Sequence, residues 1–198
     1  SDLLWHETDG HAAHNTFKSN LFRLRQLLEV DNCVKFQEGK AGLDPLYCWV
    51  DAWAFERIFD RVEAALREKR HGEAEKLAEK AISLYKGHFL PGDEAETWTV
   101  TYRERLRNKF LRLILKSGDY LQKTQQWEKA AEYYQKALEV DDLAEEFYQH
   151  LMICHQHLGQ NAEAIKAYRR CKDTLSAVLG VEPSPLTQKI YNDIRMKR

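Results

Sequence analysis

Apolar residues recur every three or four positions along most of the chain, the period of a helix with one buried face. The first such stretch runs from 11 to 29. Ala13, Phe17, Leu21, Leu24 and Leu28 form a single stripe there, and His14, Asn15, Thr16, Lys18, Ser19, Phe22, Arg23, Arg25 and Gln26 occupy the other faces. The pattern then changes. Cys33-Val34-Lys35-Phe36 predicts a short strand, and Gly39-Lys40-Ala41-Gly42 predicts a turn that uses the freedom of glycine at positive φ. Tyr47-Cys48-Trp49-Val50, rich in β-forming residues, predicts the returning strand. The expectation for residues 1–50 is therefore one helix followed by one hairpin.

From Asp51 onward the helical period takes over. Asp51 is a candidate N-cap for a helix from Ala52 to Arg70 that holds Trp53, Phe55, Ile58, Phe59 and Val62. His71-Gly72 predicts a break, Glu73 to Tyr85 the next helix, and Pro91-Gly92 a turn inside a loop from Lys86 to Gly92. Further helices are expected over Glu94–Lys123, Trp127–Val140, Ala144–Leu158, Ala162–Leu179 and Pro185–Met196.

Two stretches match at an offset of 34 residues: Ala130 with Ala164, Tyr134 with Tyr168, Ala137 with Cys171, and upstream Ile114 with Tyr148 and Gly118 with Met152. A period of about 34 built from two helices is the tetratricopeptide signature. Small residues let paired helices approach, and large ones fill the space against the next pair. Residues 73–82 echo 129–138 at an offset of 56, so about three irregular repeats are expected, with Pro185–Met196 as a terminal cap. A generic helical bundle is the plainer alternative.

The chain has 198 residues, a net charge of -1 and 31% charged side chains, so nonspecific coating of nucleic acid is not expected, while a small DNA-reading surface remains compatible. Cys33, Cys48, Cys154 and Cys171 lack CxxC spacing, which fits a reduced cytoplasmic protein better than a disulfide scaffold or a zinc ribbon. No stretch reads as a membrane span or a signal peptide. The chain opens on Ser1-Asp2-Leu3-Leu4-Trp5 without Met and reads as a piece of a longer protein. His11 and His14 lie three apart, and His150, His155 and His157 spread around one helix rather than sharing a face, although 150 and 157 are closer; all are read as ordinary surface or half-buried histidines rather than a metal site. Walker, GxGxxG, HExxH and GxSxG patterns do not occur, and the acidic residues sit among lysines and arginines as solvated helix faces. No catalytic centre and no cofactor are expected.

Four strings carry a resemblance: Trp49-Val50-Asp51-Ala52-Trp53-Ala54-Phe55-Glu56, Tyr85-Lys86-Gly87-His88-Phe89-Leu90-Pro91-Gly92, Arg103-Glu104-Arg105-Leu106-Arg107, and Leu179-Gly180-Val181-Glu182-Pro183-Ser184-Pro185. In this order they resemble the bacterial transcriptional activator domain of antibiotic-regulatory activators and of large ATPase-type regulators. The resemblance implies that residues 51–198 are that domain, a mainly α, irregular tetratricopeptide-like superhelix. In the family it follows a response-regulator-type winged helix. Residues 1–50 resemble the C-terminal part of one, through Leu4-Trp5, His14-Asn15-Thr16-Phe17-Lys18 and Leu21-Phe22-Arg23-Leu24-Arg25-Gln26-Leu27-Leu28, with Gly39 to Leu43 as the wing. The early strands and helices of a winged helix have no counterpart ahead of Leu3.

Carried over by position, Asn15, Thr16, Ser19 and Phe22 would face base edges, and Lys18, Arg23 and Arg25 would touch phosphates or help position the helix. The family's repeat phase would place Arg112, Asp119, Gln122, Lys123, Glu146, Gln149, Gln156 and His157 in a partner-binding groove. The implied partners are promoter DNA, RNA polymerase or a second copy in a homodimer. Beside this stands a different class, an interaction scaffold without DNA binding, in which both residue sets are merely solvated helix faces; Asp2, Glu7, Asp9, Glu29 and Asp31 around the first helix favour it.

Overall fold

A computed structural model describes residues 10–37, 40–92 and 97–196. Leu4-Trp5, Gly39, the expected helix start at Glu94 and the side chains of His11, Ala13 and Trp98 lie outside the described residues. Contacts divide the chain into two units that meet between Trp53 and Ala54.

In the first unit, α1 (Gly10–Leu28) ends where Glu29 turns left-handed at φ 54°. One 3-10 turn (Asp31–Cys33) then leads into β1 (Val34–Gln37), which pairs antiparallel with β2 (Lys40–Leu43) from Val34↔Leu43 to Gln37↔Lys40. The returning strand therefore comes earlier than the β-forming residues at 47–50 predict. The reason is Asp44. Its side chain accepts the Leu46 N–H (3.0 Å), and its carbonyl accepts the Tyr47 and Cys48 N–H groups (3.0 and 2.8 Å). These bonds curl the chain into a turn before Tyr47 can extend. The unit is clamped at two more points. The Arg25 guanidinium donates twice to the Val34 carbonyl (3.2 and 2.7 Å), and Phe17 packs on Phe36 with ring centroids 5.0 Å apart. Of the expected α1 stripe, Phe17 and Leu21 are half-buried, whereas Leu24 and Leu28 are exposed.

The helices that follow are α2 (Asp51–Arg67), α3 (His71–Leu84), α4 (Thr97–Lys123), α5 (Trp127–Val140), α6 (Glu145–His157), α7 (Asn161–Leu179) and α8 (Pro185–Met196). The Asp51 carboxylate accepts the Ala52 N–H at 2.7 Å, one of the donors that a helix start leaves without a backbone partner. His71-Gly72 is not the break between α2 and α3; these residues open α3. The break falls at Lys69, left-handed at φ 59°, and Arg70.

The same joint recurs twice. Gln125 (φ 60°) and Gly159 (φ 71°) stand 56 and then 34 residues further on, the offsets of the sequence repeat. Each is followed by a residue in nearly one conformation: Arg70 at φ -85°, ψ 64°, Gln126 at -86°, 63°, and Gln160 at -89°, 55°. In each joint that residue's N–H returns at 2.8 Å to a carbonyl five residues back, on Ala65, Leu121 and His155 respectively. Three helix pairs follow from this, α2–α3, α4–α5 and α6–α7, with α8 packed against α6 and α7. The small residues behave as their size predicts. Ala130, Ala137, Ala164 and Cys171 are fully buried, and Gly118 lies under the Tyr134 ring, where a Cβ would overlap the phenol. The fold is mainly α: a helix and a hairpin, then an irregular tetratricopeptide-like array.

Candidate functional surfaces

One face of α1 gathers the residues expected to meet DNA. Asn15, Ser19, Phe22 and Gln26 recur at helical spacing, flanked by Lys18 on one side and by Thr16 and Arg23 on the other, opposite Phe17, Leu21, Leu24 and Leu28. Asn15, Thr16, Lys18, Ser19 and Arg23 are exposed, and Phe22 stands 61% exposed in the middle of this polar face. Arg25 differs from the others: it is half-buried, and its guanidinium is engaged by the Val34 carbonyl. A cleft of about 430 Å³ runs between α1 and β1, lined among others by Phe22, Arg25, Gln26, Lys35 and Phe36. On the hairpin, Lys35 Nζ lies 2.6 Å from the buried carboxylate of Asp44. That ion pair, reinforced on Asp44 by the Leu46 N–H, holds the carboxyl below the usual range and the ammonium above it.

The eight expected groove residues divide into several places. Asp119, Gln122 and Glu146 come together around His150, on the facing sides of α4 and α6. His150 Nε2 is 4.0 Å from both the Asp119 and Glu146 carboxylates, and its ring stacks on Tyr134 with centroids 4.8 Å apart. The Gln122 Nε2 amide reaches the Tyr134 hydroxyl and His150 Nδ1 at 3.1 Å each, and Cys154 Sγ at 3.5 Å. Burial pushes the Tyr134 phenol well above its ordinary range and the Cys154 thiol up to about 11. Both stay protonated at neutral pH and act as structural groups.

Arg112 belongs to a separate seam between α2 and α4. It lies 3.7 Å from Glu63 and over the Phe59 ring at 4.7 Å. Lys116 pairs with Glu63 at 2.7 Å, Lys109 with Glu56 at 3.0 Å, and Arg105 with Glu56 at 3.3 Å. Gln149 is taken up by α8, donating to Thr187 at 2.8 Å. His157 stacks on Trp127 with centroids 3.8 Å apart, the Gln156 Nε2 is buried with no hydrogen-bond partner among the described residues, and Lys123 is exposed.

Two things had escaped the sequence reading. The α4 ladder Arg105, Lys109, Arg112 and Lys116, at i, i+4, i+7 and i+11, faces the acids Glu56, Asp60 and Glu63 of α2, and that spacing was available as a signal. His150, considered only as a metal ligand, is the centre of the α4–α6 cluster. Among the described residues, no group of three His, Cys, Asp or Glu is placed to hold a metal ion, and no helix is long and apolar enough to cross a membrane.

The model of the bacterial transcriptional activator domain family matches residues 50–195. No curated protein sequence matches significantly. Among solved structures, EmbR from Mycobacterium tuberculosis, in complex with a low-affinity phosphopeptide, superposes with a TM-score of 0.71 at 18% identity over 100% of this chain. The match covers 53% of the EmbR chain, so this chain spans about half that length. The tetratricopeptide domain of Aspergillus fumigatus Sgt2 aligns over 73% of this chain and 78% of its own, with a TM-score of 0.46 and 17% identity. The Yersinia enterocolitica type III secretion chaperone SycD, in complex with a peptide of the translocator YopD, aligns over 73% and 94%, with a TM-score of 0.47 and 16% identity.

Proposed function

The chain belongs to the bacterial transcriptional activator domain family, and from that premise we propose that it is part of a transcription regulator whose α1 and hairpin contact promoter DNA while its helix pairs receive a protein partner. The observation that carries the DNA reading is the continuous, exposed polar face of α1 beside a hairpin to which Arg25 ties it. A helix of about 10–12 Å diameter fits the major groove, and its exposed short polar side chains are the type that read base edges. In this reading Asn15, Thr16, Ser19 and Phe22 meet base edges, and Lys18 and Arg23 meet phosphates. Arg25 serves the phosphates indirectly, by fixing the helix against β1.

The protein-binding part rests on the α4–α6 cluster. Asp119 and Glu146 present partly exposed carboxylates on either side of His150, with Gln122 as a further hydrogen-bonding group. Such a mixed polar surface suits a segment of RNA polymerase or of a second copy of the regulator. Arg112, in the α2–α4 seam, Gln149, bonded to α8, and His157, stacked on Trp127, stand apart from this cluster. Binding is mechanical, and no bond of a substrate is made or broken. The setting is the cytoplasm, where promoter DNA is found.

The test is fluorescence anisotropy on the regulator's own promoter across a salt series, with a longer chain that includes a complete winged helix. Replacing Lys18 and Arg23 by Gln should weaken binding and flatten the slope of log K against log salt by about 1.8, roughly 0.9 per lost phosphate contact. An unchanged slope and affinity would remove the DNA assignment and leave an interaction scaffold as the reading.

A further inference from the structure

Two of the four cysteines meet in the helix-and-hairpin unit although 15 residues separate them. Cys33 ends the 3-10 turn after α1 and is 3% exposed; Cys48 lies in the turn ahead of α2 and is half-buried. Three hydrogen bonds draw these places together. The Cys33 carbonyl accepts the Asp44 N–H at 2.8 Å, the Asp44 carbonyl accepts the Cys48 N–H at 2.8 Å, and the Cys48 thiol donates to the Cys33 carbonyl at 3.4 Å. Cys154 and Cys171, in contrast, are buried in α6 and α7.

We propose that Cys33 and Cys48 are a reversible disulfide site, closed by exchange with a low-molecular-weight disulfide and opened by a thiol. The half-buried Cys48 is the entry point and the buried Cys33 the resolving group. The Cys48 thiolate attacks one sulfur of the small disulfide, forming a mixed disulfide and expelling one small thiolate. The Cys33 thiolate then attacks the Cys48 sulfur, closing the Cys33–Cys48 bond and expelling the second small thiolate. Two protein thiols are oxidised, one small disulfide is reduced, and the two protons end on the small thiols or the buffer.

The bridge encloses β1 and β2, so it fixes the hairpin to the start of the segment leading into α2. Burial and the facing Cys33 thiol raise the Cys48 pKa, so the exchange is slow at neutral pH and quickens by about tenfold per pH unit until that raised value is reached.

The experiment is to incubate the full chain with oxidised glutathione at about pH 8, near the ordinary thiol pKa, block it with iodoacetamide and map the peptides by mass. The expected result is one linked pair, Cys33 with Cys48, reversed by dithiothreitol, while Cys154 and Cys171 stay unlinked. Cys33→Ser should accumulate a glutathione adduct on Cys48, and Cys48→Ser should leave Cys33 unmodified in the folded chain. Should either variant fail to fold, the wild-type linkage map decides alone. A glutathione adduct on wild-type Cys48 without a Cys33 link, two free thiols, or a link to Cys154 or Cys171 would each overturn the proposal.

Discussion

At the scale of single residues, the tightest constraint is the pair Gly118 and Tyr134. Tyr134 is fully buried, its hydroxyl accepts a hydrogen bond from Gln122, and its ring carries His150 on one side. The ring cannot retreat without losing that bond and that stacking, so Gly118→Ala must displace it or the backbone of α4. Overpacking of this kind costs about 1–3 kcal/mol, more than the 0.5–1 kcal/mol that Ala gains over Gly in an ordinary helix. Chemical denaturation should therefore show a less stable variant, and a stabilised one would mean that Tyr134 moves freely. Asp44 and Lys35 give a pH-dependent counterpart. The Lys35 ammonium holds the Asp44 carboxyl below its unfolded value, so that part of stability is complete above about pH 4 and fades as pH falls through the lower folded value. Lys35 runs the other way: its raised pKa contributes below its ordinary value and is lost as pH rises through the folded one. Asp44→Asn should lower hydrogen-exchange protection of the Cys48 amide at pH 7, and the difference from wild type should vanish in the acid range. A difference that persists there would assign the effect to the Leu46 and backbone bonds instead of the ion pair.

At the scale of elements, the recurrent joint between paired helices governs what could be read from the sequence. The helices of the repeat part were legible because burial imposes a period of 3.6 on Ala130, Tyr134 and Ala137 as it does on Ala164, Tyr168 and Cys171. The first joint was misplaced because Lys69, not a glycine, takes the left-handed position there, and glycine at 72 drew the break forward. Residue preference is a weak guide where backbone hydrogen bonds fix the turn. The hairpin forms as expected, but its returning strand was misplaced for a similar reason: the β-forming side chains at 47–50 were outweighed by the Asp44 turn. Candidate site residues were legible as exposed polar positions on α1, but not as clusters on the later helices. Which of Arg112, Asp119, Gln149 and His157 share a surface depends on inter-helix neighbours such as Glu63, His150, Thr187 and Trp127, which lie up to 49 positions away in sequence. The joint also yields a prediction. A non-glycine residue held left-handed costs roughly 1–2 kcal/mol, and glycine returns part of this as unfolded-state entropy. Gln125→Gly should thus stabilise by up to about 1 kcal/mol, and Gly159→Ala should destabilise by a similar amount, both measured by thermal melting. Opposite signs would show that the Gln125 side chain contributes more than its backbone strain costs.

At the scale of the repeat array, stability is a sum of helix-pair terms and contacts between neighbours, so damage at one end should not spread evenly. The α8 helix is the end term. Its Ile194 and Thr187 are buried, Tyr191 stacks on Tyr168 at 3.9 Å, and Gln149 and Glu145 of α6 bond Thr187 and the Ser184 N–H at 2.8 and 2.7 Å. Burying one isoleucine is worth roughly 1.5–3 kcal/mol and an aromatic pair about 0.5–1.5 kcal/mol, so removing residues 185–198 should cost about 3 kcal/mol. The loss should be local. The α6–α7 pair contacts α8 directly, whereas α2 and α4 are joined by their own seam of Glu56, Glu63, Lys109, Arg112 and Lys116. Hydrogen exchange followed by mass spectrometry should therefore show faster exchange throughout α6 and α7 in the truncated chain and unchanged protection in α2 and the first half of α4. Equal loss in all helices would mean that the array folds as one cooperative block, and the α4–α6 cluster around His150 would then be rigidly coupled to the cap.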